Sequence, residues 1–153
     1  MYRIVKKSIS FADDSFERFS CVVLEGNKVV YDSTGNGHPL KITDKSIAAA
    51  KLPETCFVDL DHSAGVLNRI GFADNFKRDG NRILADIHVI RTTQAGRDAI
   101  ALLQEKLITD VSVKMVTDES YSRQDRMSQV NGLEIMGLSI VTSGADSAAK
   151  VFA

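Results

Sequence analysis

The sequence predicts a strand-dominated α+β fold: a closed or nearly closed antiparallel β-barrel with a few surrounding helices. Three observations carry this expectation. Most of the 153-residue chain reads as short apolar runs divided by Gly, Asp and Asn. Its two prolines, Pro39 and Pro53, leave long stretches free to pair as strands. Helical spacing of apolar residues is confined to a few short segments.

Taken in order, Phe19 to Leu24 and Lys28 to Tyr31 are Val-rich runs flanking Glu25-Gly26-Asn27, which predicts a hairpin. Ser33 to Pro39 reads as a flexible loop. Thr43 or Asp44 is placed to cap a short helix through Lys51, with Pro53 just beyond it. Cys56 to Leu60 is a strand running directly into Asp61-His62. Ile70 to Phe76 is a further strand, turned by Arg78-Asp79-Gly80-Asn81. From Arg82 to Ile90 the residues alternate, with Ile83, Ala85, Ile87 and Val89 on one face. Thr92 or Thr93 caps a helix from Gln94 to about Lys106, striped by Ala95, Ala99, Leu102 and Leu103. Ile108 to Val116 is a strand with Val111, Val113 and Met115 on one side and Ser112, Lys114 and Val116 on the other. The polar run from Asp118 to Gln129 is expected to be a mobile surface loop. Leu133 to Val141 closes the strand pattern, and a short helix is expected over Ser147 to Val151. One domain, 1–153, accounts for the whole.

Composition narrows the function classes. The chain is 44% hydrophobic and 25% charged, with a formal net charge of −1. No overall basic field points to nucleic acid or anionic lipid, so neither nucleic acid nor membrane is expected as a partner. No apolar stretch approaches the ~20 residues that span a bilayer. Met1-Tyr2-Arg3-Ile4 does not read as a signal peptide, so a cytosolic setting is expected. Cys21 and Cys56 lie in apolar runs and read as buried thiols. No His-x₃-His or Cys-x₂-Cys spacing suggests a metal, and no cofactor is expected. Neither a phosphate-binding Gly-x₄-Gly-Lys-Ser nor a Gly-x-Ser-x-Gly elbow is present.

His62 and Ser112 are the residues best suited to chemistry. His62 ends an apolar strand, where a rigid scaffold presents functional groups, and an imidazole ordinarily titrates near 6.5. Ser112 lies mid-strand, and a serine hydroxyl becomes nucleophilic once a base takes its proton. Each also has an ordinary reading: a surface histidine bonded to neighbouring backbone, and a serine filling a strand position. His38 sits in the Gly-rich loop and reads as exposed. His88 shares a face with Leu84, Asp86 and Ile90 and reads as structural, with orientation of His62 as the alternative.

In their order along the chain, several segments resemble the prohead maturation proteases of tailed phages, a family that resembles the herpesvirus assemblins. The matching pieces are Leu60-Asp61-His62, Ile70-Gly71, the turn Asp79-Gly80-Asn81 leading to Ile83-Leu84, Gly96-Arg97-Asp98-Ala99, Leu102 to Ser112, and Leu138-Ser139-Ile140-Val141 with the small residues after it. They span about residues 15 to 151. The resemblance implies a herpesvirus-protease-like fold with Ser112 as nucleophile and His62 as general base. Three departures stand out. Val111-Ser112-Val113-Lys114-Met115 replaces the usual Leu or Ile-Ser-hydrophobic-Gly-Phe. Gly137 stands where an acidic residue is common, and Gly144 where proline is common. They leave the third member of the triad open between Glu134, the nearest acidic residue in the same strand, His88, and a Ser-His dyad assisted by water.

On this resemblance the chain is expected to be a serine endopeptidase. Its substrates would be the scaffold and the N-terminal segment of the capsid-protein precursor, with itself as a further one. Cleavage would take place in the host cytoplasm, inside the assembling prohead. A homodimer or higher oligomer is left open. The competing readings are a catalytically decayed protease fold acting in capsid or scaffold assembly, and a small β-barrel that binds a ligand.

Overall fold

The computed structural model describes residues 13–31, 39–144 and 146–152; the expected loop around His38 falls largely outside them. Eight strands and two helices follow in the order β1 (Phe16–Glu25), β2 (Lys28–Val30), β3 (Leu40–Ile42), α1 (Asp44–Ala49), β4 (Thr55–Leu60), β5 (Arg69–Asp79), β6 (Arg82–Ile90), α2 (Gln94–Gln104), β7 (Asp110–Ser122) and β8 (Met127–Val141). The fold is strand-dominated α+β, as expected. All eight strands belong to one sheet, ordered β1-β6-β5-β4-β8-β3-β2, with β7 along the other edge of β8.

The sheet curls into a half-barrel rather than a closed barrel. It is also mixed: β3 and β4 both run parallel to β8. At fifteen residues β8 is long enough to take both of them end to end on one edge while β7 occupies the other. Among the described residues, the C-terminal segment spans the gap between β1 and β7. Lys150 and Phe152 exchange backbone bonds with Ser20 and Val22, and Ala149 and Val151 do so with Val111 and Thr109, all at 2.9 Å. The expected helix over Ser147 to Val151 is therefore absent, and this segment is stitched on both sides. Backbone donors there are satisfied by neighbouring strands instead of by the tail itself.

Two further expectations change. β1 and β2 form no hairpin: β1 pairs with β6 and β2 with β3, which puts them at opposite ends of the sheet. Asn27 turns the chain with φ 59°, but each strand finds its partner elsewhere. The polar run from Asp118 is not a loop, because β7 continues to Ser122 and β8 begins at Met127. The β7 side of this arm is polar because Asp118 to Tyr121 are exposed, whereas β8 still buries Ser128 and Val130 on one face.

Local chemistry explains the helices. Thr43 accepts the Ser46 N–H while Ser46 Oγ takes the Thr43 N–H, a reciprocal cap that starts α1. Thr93 caps α2 by accepting from Gly96 N–H at 3.1 Å. α2 stops two residues early because Lys106 turns left-handed, with φ 57°. Its N–H then bonds Leu103 and that of Leu107 bonds Leu102. Ala99 and Leu103 of α2 are buried. So are Ile83, Ala85, Ile87 and Val89, the face read from alternation. They join one cluster with Val58, Val111, Leu138 and Ile140, where each large aliphatic side chain contributes on the order of 1.5–3 kcal/mol.

Candidate active site

β4, β8 and β7 lie side by side, and their register sets three polar residues in one row. Asp59 is opposite Ser139, and Ser139 is opposite Ser112. Cys56 and Val58 of β4 and Leu138 and Ile140 of β8 point into the core. Alternation therefore sends Asp59 and Ser139 to the other face of the sheet. The next row along that face holds Phe57, Gly137 and Lys114.

His62 enters this row from the end of β4. A tight turn, closed by Ser63 N–H to Leu60 O at 2.9 Å, carries Asp61 and His62 at φ 52° and 54°. Two consecutive non-glycine residues in the left-handed region cost on the order of 1 kcal/mol or more each. The strain is held by β8: Asp61 N–H bonds Ile140 O at 3.1 Å, and His62 N–H bonds Ser139 Oγ at 3.2 Å. The imidazole is thereby aimed along the row. Its Nε2 lies 2.7 Å from Ser112 Oγ, and its Nδ1 lies 3.1 Å from Ser139 Oγ.

The row continues beyond the imidazole. Ser139, wholly buried, donates its hydroxyl to Asp59 Oδ1. Lys114 Nζ holds the other carboxylate oxygen, Oδ2, at 2.7 Å. The Lys114 stem reaches Asp59 by passing over Gly137, where a Cβ would stand 3.7 Å from Lys114 Cδ. The lysine and the glycine, two of the departures noted in the sequence, are direct cross-strand partners.

His62 and Ser112 are brought together as the sequence reading expected. Glu134 is not. It is exposed, opposite Val116, and lies five residues from Ser139, roughly 17 Å at the rise of an extended strand. His88, on β6, is engaged elsewhere: its Nε2 is 2.8 Å from Asp74 Oδ1 and its ring stacks on Phe72 with centroids 4.5 Å apart. The group on His62 Nδ1 is Ser139, backed by Asp59. Sequence reasoning placed Ser139 in a matching segment without a role and read Asp59 as part of an apolar strand. Its position two before Asp61, opposite in phase to Cys56 and Val58, was the available signal.

The remaining nucleophile types are quiet. Burial pushes the Cys56 thiol up to about 12, and burial, reinforced by the charge of Asp86, does the same to Cys21. Both are free and buried thiols, inert at neutral pH. Among the described residues no group of three or more His, Cys, Asp or Glu side chains is arranged to hold a metal ion, and no helix is long and apolar enough to cross a membrane. A hydroxyl held within hydrogen-bond reach of an imidazole, itself oriented by a buried polar chain, is an arrangement suited to nucleophilic acyl transfer. No family model, curated protein or solved structure matches the chain.

Proposed function

We propose that this chain is a serine endopeptidase of the prohead-maturation type, with Ser112 as nucleophile and His62 as general base. The 2.7 Å contact between His62 Nε2 and Ser112 Oγ, made across fifty residues of sequence, carries the reading. In the first half-reaction Oγ forms a bond to the scissile carbonyl carbon and its proton passes to Nε2. The C–N bond then breaks as Nε2 returns that proton to the leaving amine. In the second half, water attacks the acyl carbon, gives its proton to Nε2, and the ester C–Oγ bond breaks with the proton returning to Oγ. The position of Ser112 supports a peptide substrate. Beyond the C-terminal segment, β7 has no strand partner on the side away from β8 among the described residues. An extended chain can add there by backbone hydrogen bonds, with its carbonyl beside Oγ.

The order of matching segments supports capsid precursor and scaffold as substrates, with the chain itself as a third, cut inside the prohead. Labelling by a fluorophosphonate and cleavage of purified capsid precursor test the reading together. Wild-type protein is expected to label at Ser112 and to cleave. Ser112→Ala and His62→Ala should lose cleavage by roughly 10⁴-fold or more while remaining folded. Undiminished cleavage by Ser112→Ala would remove Ser112 from the mechanism. A folded wild-type protein that neither labels nor cleaves would instead point to a non-enzymatic module of capsid or scaffold assembly.

A further inference from the structure

We propose that Asp59 and Lys114 are positioning residues: acting through Ser139, they fix His62 in the tautomer whose Nε2 is free to accept the Ser112 proton. This deepens the hydrolase reading above and rests on it, but its observable is separate from turnover.

Donors and acceptors along the row can be paired in only one direction. An ammonium group only donates, and Lys114 Nζ occupies Asp59 Oδ2 at 2.7 Å. A carboxylate only accepts, so the close contact at Oδ1 takes the single hydroxyl proton of Ser139. Ser139 Oγ then has only lone pairs to offer. One is used by the His62 backbone N–H, a donor that cannot reverse, at 3.2 Å. The other faces His62 Nδ1 at 3.1 Å and can be satisfied only by Nδ1–H. With the proton on Nδ1, a neutral imidazole presents a bare Nε2 to Ser112 Oγ. The opposite polarity would leave the lone pairs of Ser139 against the carboxylate. Ser139 is wholly buried, so water cannot relieve that contact. A chain of single-proton groups thus transmits a direction from an ammonium at the surface to the nucleophile.

An ion pair that merely stabilised the sheet would not control a proton two groups away, and this difference sets the test. Nitrogen-15 NMR of histidine-labelled protein, with the His62 signals assigned by their loss in His62→Ala, reads the tautomer directly at a pH where the ring is neutral. Wild type is expected to show Nδ1–H. In Asp59→Asn, Lys114 should hold the amide oxygen and leave the amide NH₂ to donate to Ser139. Ser139 then donates to Nδ1, and His62 should switch to Nε2–H. Fluorophosphonate labelling of Ser112 should fall by up to about 10⁴-fold, the loss in turnover seen when a neutral amide replaces a triad carboxylate. Adding Lys114→Met to Asp59→Asn frees the introduced amide to turn its oxygen toward Ser139. The double variant should regain Nδ1–H and at least tenfold of the labelling rate. Persistence of Nδ1–H in Asp59→Asn, or a double variant no better than the single one, overturns the proposal. Should Asp59→Asn fail to fold, Ser139→Ala cuts the same relay: mixed tautomers support the proposal and undiluted Nδ1–H overturns it. A wild-type protein that holds Nδ1–H, switches in Asp59→Asn, and yet never labels would sink the hydrolase reading while leaving this one standing.

Discussion

Asp61 and His62, both left-handed at the end of β4, concentrate the cost of the site in one turn. His62 faces Ser112 from this turn, whereas Asp61 is exposed and shares the strain because the turn needs two such residues. Asp61→Gly should therefore raise stability by about 0.5–1 kcal/mol, since glycine adopts positive φ without a Cβ clash and the backbone bond to Ile140 is kept. Urea unfolding measures the gain, and Ser112 labelling should be unaffected. The His62–Ser112 pair was legible in the sequence because each sits at a recognisable place in an ordered set of segments. Glu134 was a poor choice because proximity along a strand is not proximity in space. Successive residues on one face of β8 are roughly 7 Å apart, whereas Asp59 is a direct cross-strand neighbour of Ser139. Cross-strand register, which brings residues eighty apart in sequence together, cannot be read from a linear pattern.

Among the elements, β5 and β6 meet so closely that Gly71 is obligatory. A Cβ there would stand 1.8 Å from the His88 carbonyl oxygen, which is backbone and cannot swing aside. Gly96 is in the same position against Ile90 O at 1.9 Å, at the N-terminus of α2. Both glycines lie in segments that carried the resemblance, and packing alone explains them. Gly71→Ala is expected to cost about 3 kcal/mol or more, read from the denaturant midpoint, because β5 must part from β6. Gly132→Ala, with nothing within 4 Å of its Cβ, is the control and should change little. The elements were mostly legible: β4, β6 and α2 lie close to where alternation and capping put them. What misled was polarity. The β7–β8 arm looks like a loop to any rule that equates strands with half-buried surface, and its pairing is supplied by the backbone regardless of that surface.

At the scale of the whole molecule, the C-terminal segment joins β1 to β7, and its charged contact is placed at the join. Lys150 Nζ lies 2.7 Å from Asp110 Oδ1, and Gly144 N–H bonds Oδ2 at 3.0 Å. Burial alone would raise the Asp110 carboxyl, but the bonds from Lys150 and Gly144 and the Lys150 charge outweigh it and hold it below its ordinary value. Asp86, between β1 and β5, is likewise lowered: Asn75, Ser20 and Arg18 outweigh its burial. A carboxyl that binds protons more weakly folded than unfolded adds stability above its unfolded pKa, near 4. That stability drains as the pH falls through this value toward the lower folded one. Denaturant midpoints should therefore hold between pH 7 and 5 and drop below about pH 4. Asp110→Asn should lower the plateau and flatten the acid side; an unchanged profile would exclude Asp110 as a contributor.

The sequence by itself determined the strand-dominated α+β class, the buried faces, both helix starts to within a residue and, through the resemblance, the pairing of His62 with Ser112. These follow from periodicity, capping and segment order, which are properties of neighbouring residues. Tertiary structure alone decided that the sheet stays a half-barrel bridged by the C-terminal segment, that β1 and β2 part company, and that Ser139, Asp59 and Lys114 stand behind the imidazole. Each of these depends on which strand edges meet and in what register. Backbone hydrogen bonds are nearly indifferent to side-chain identity, so that choice is made by packing the whole chain at once.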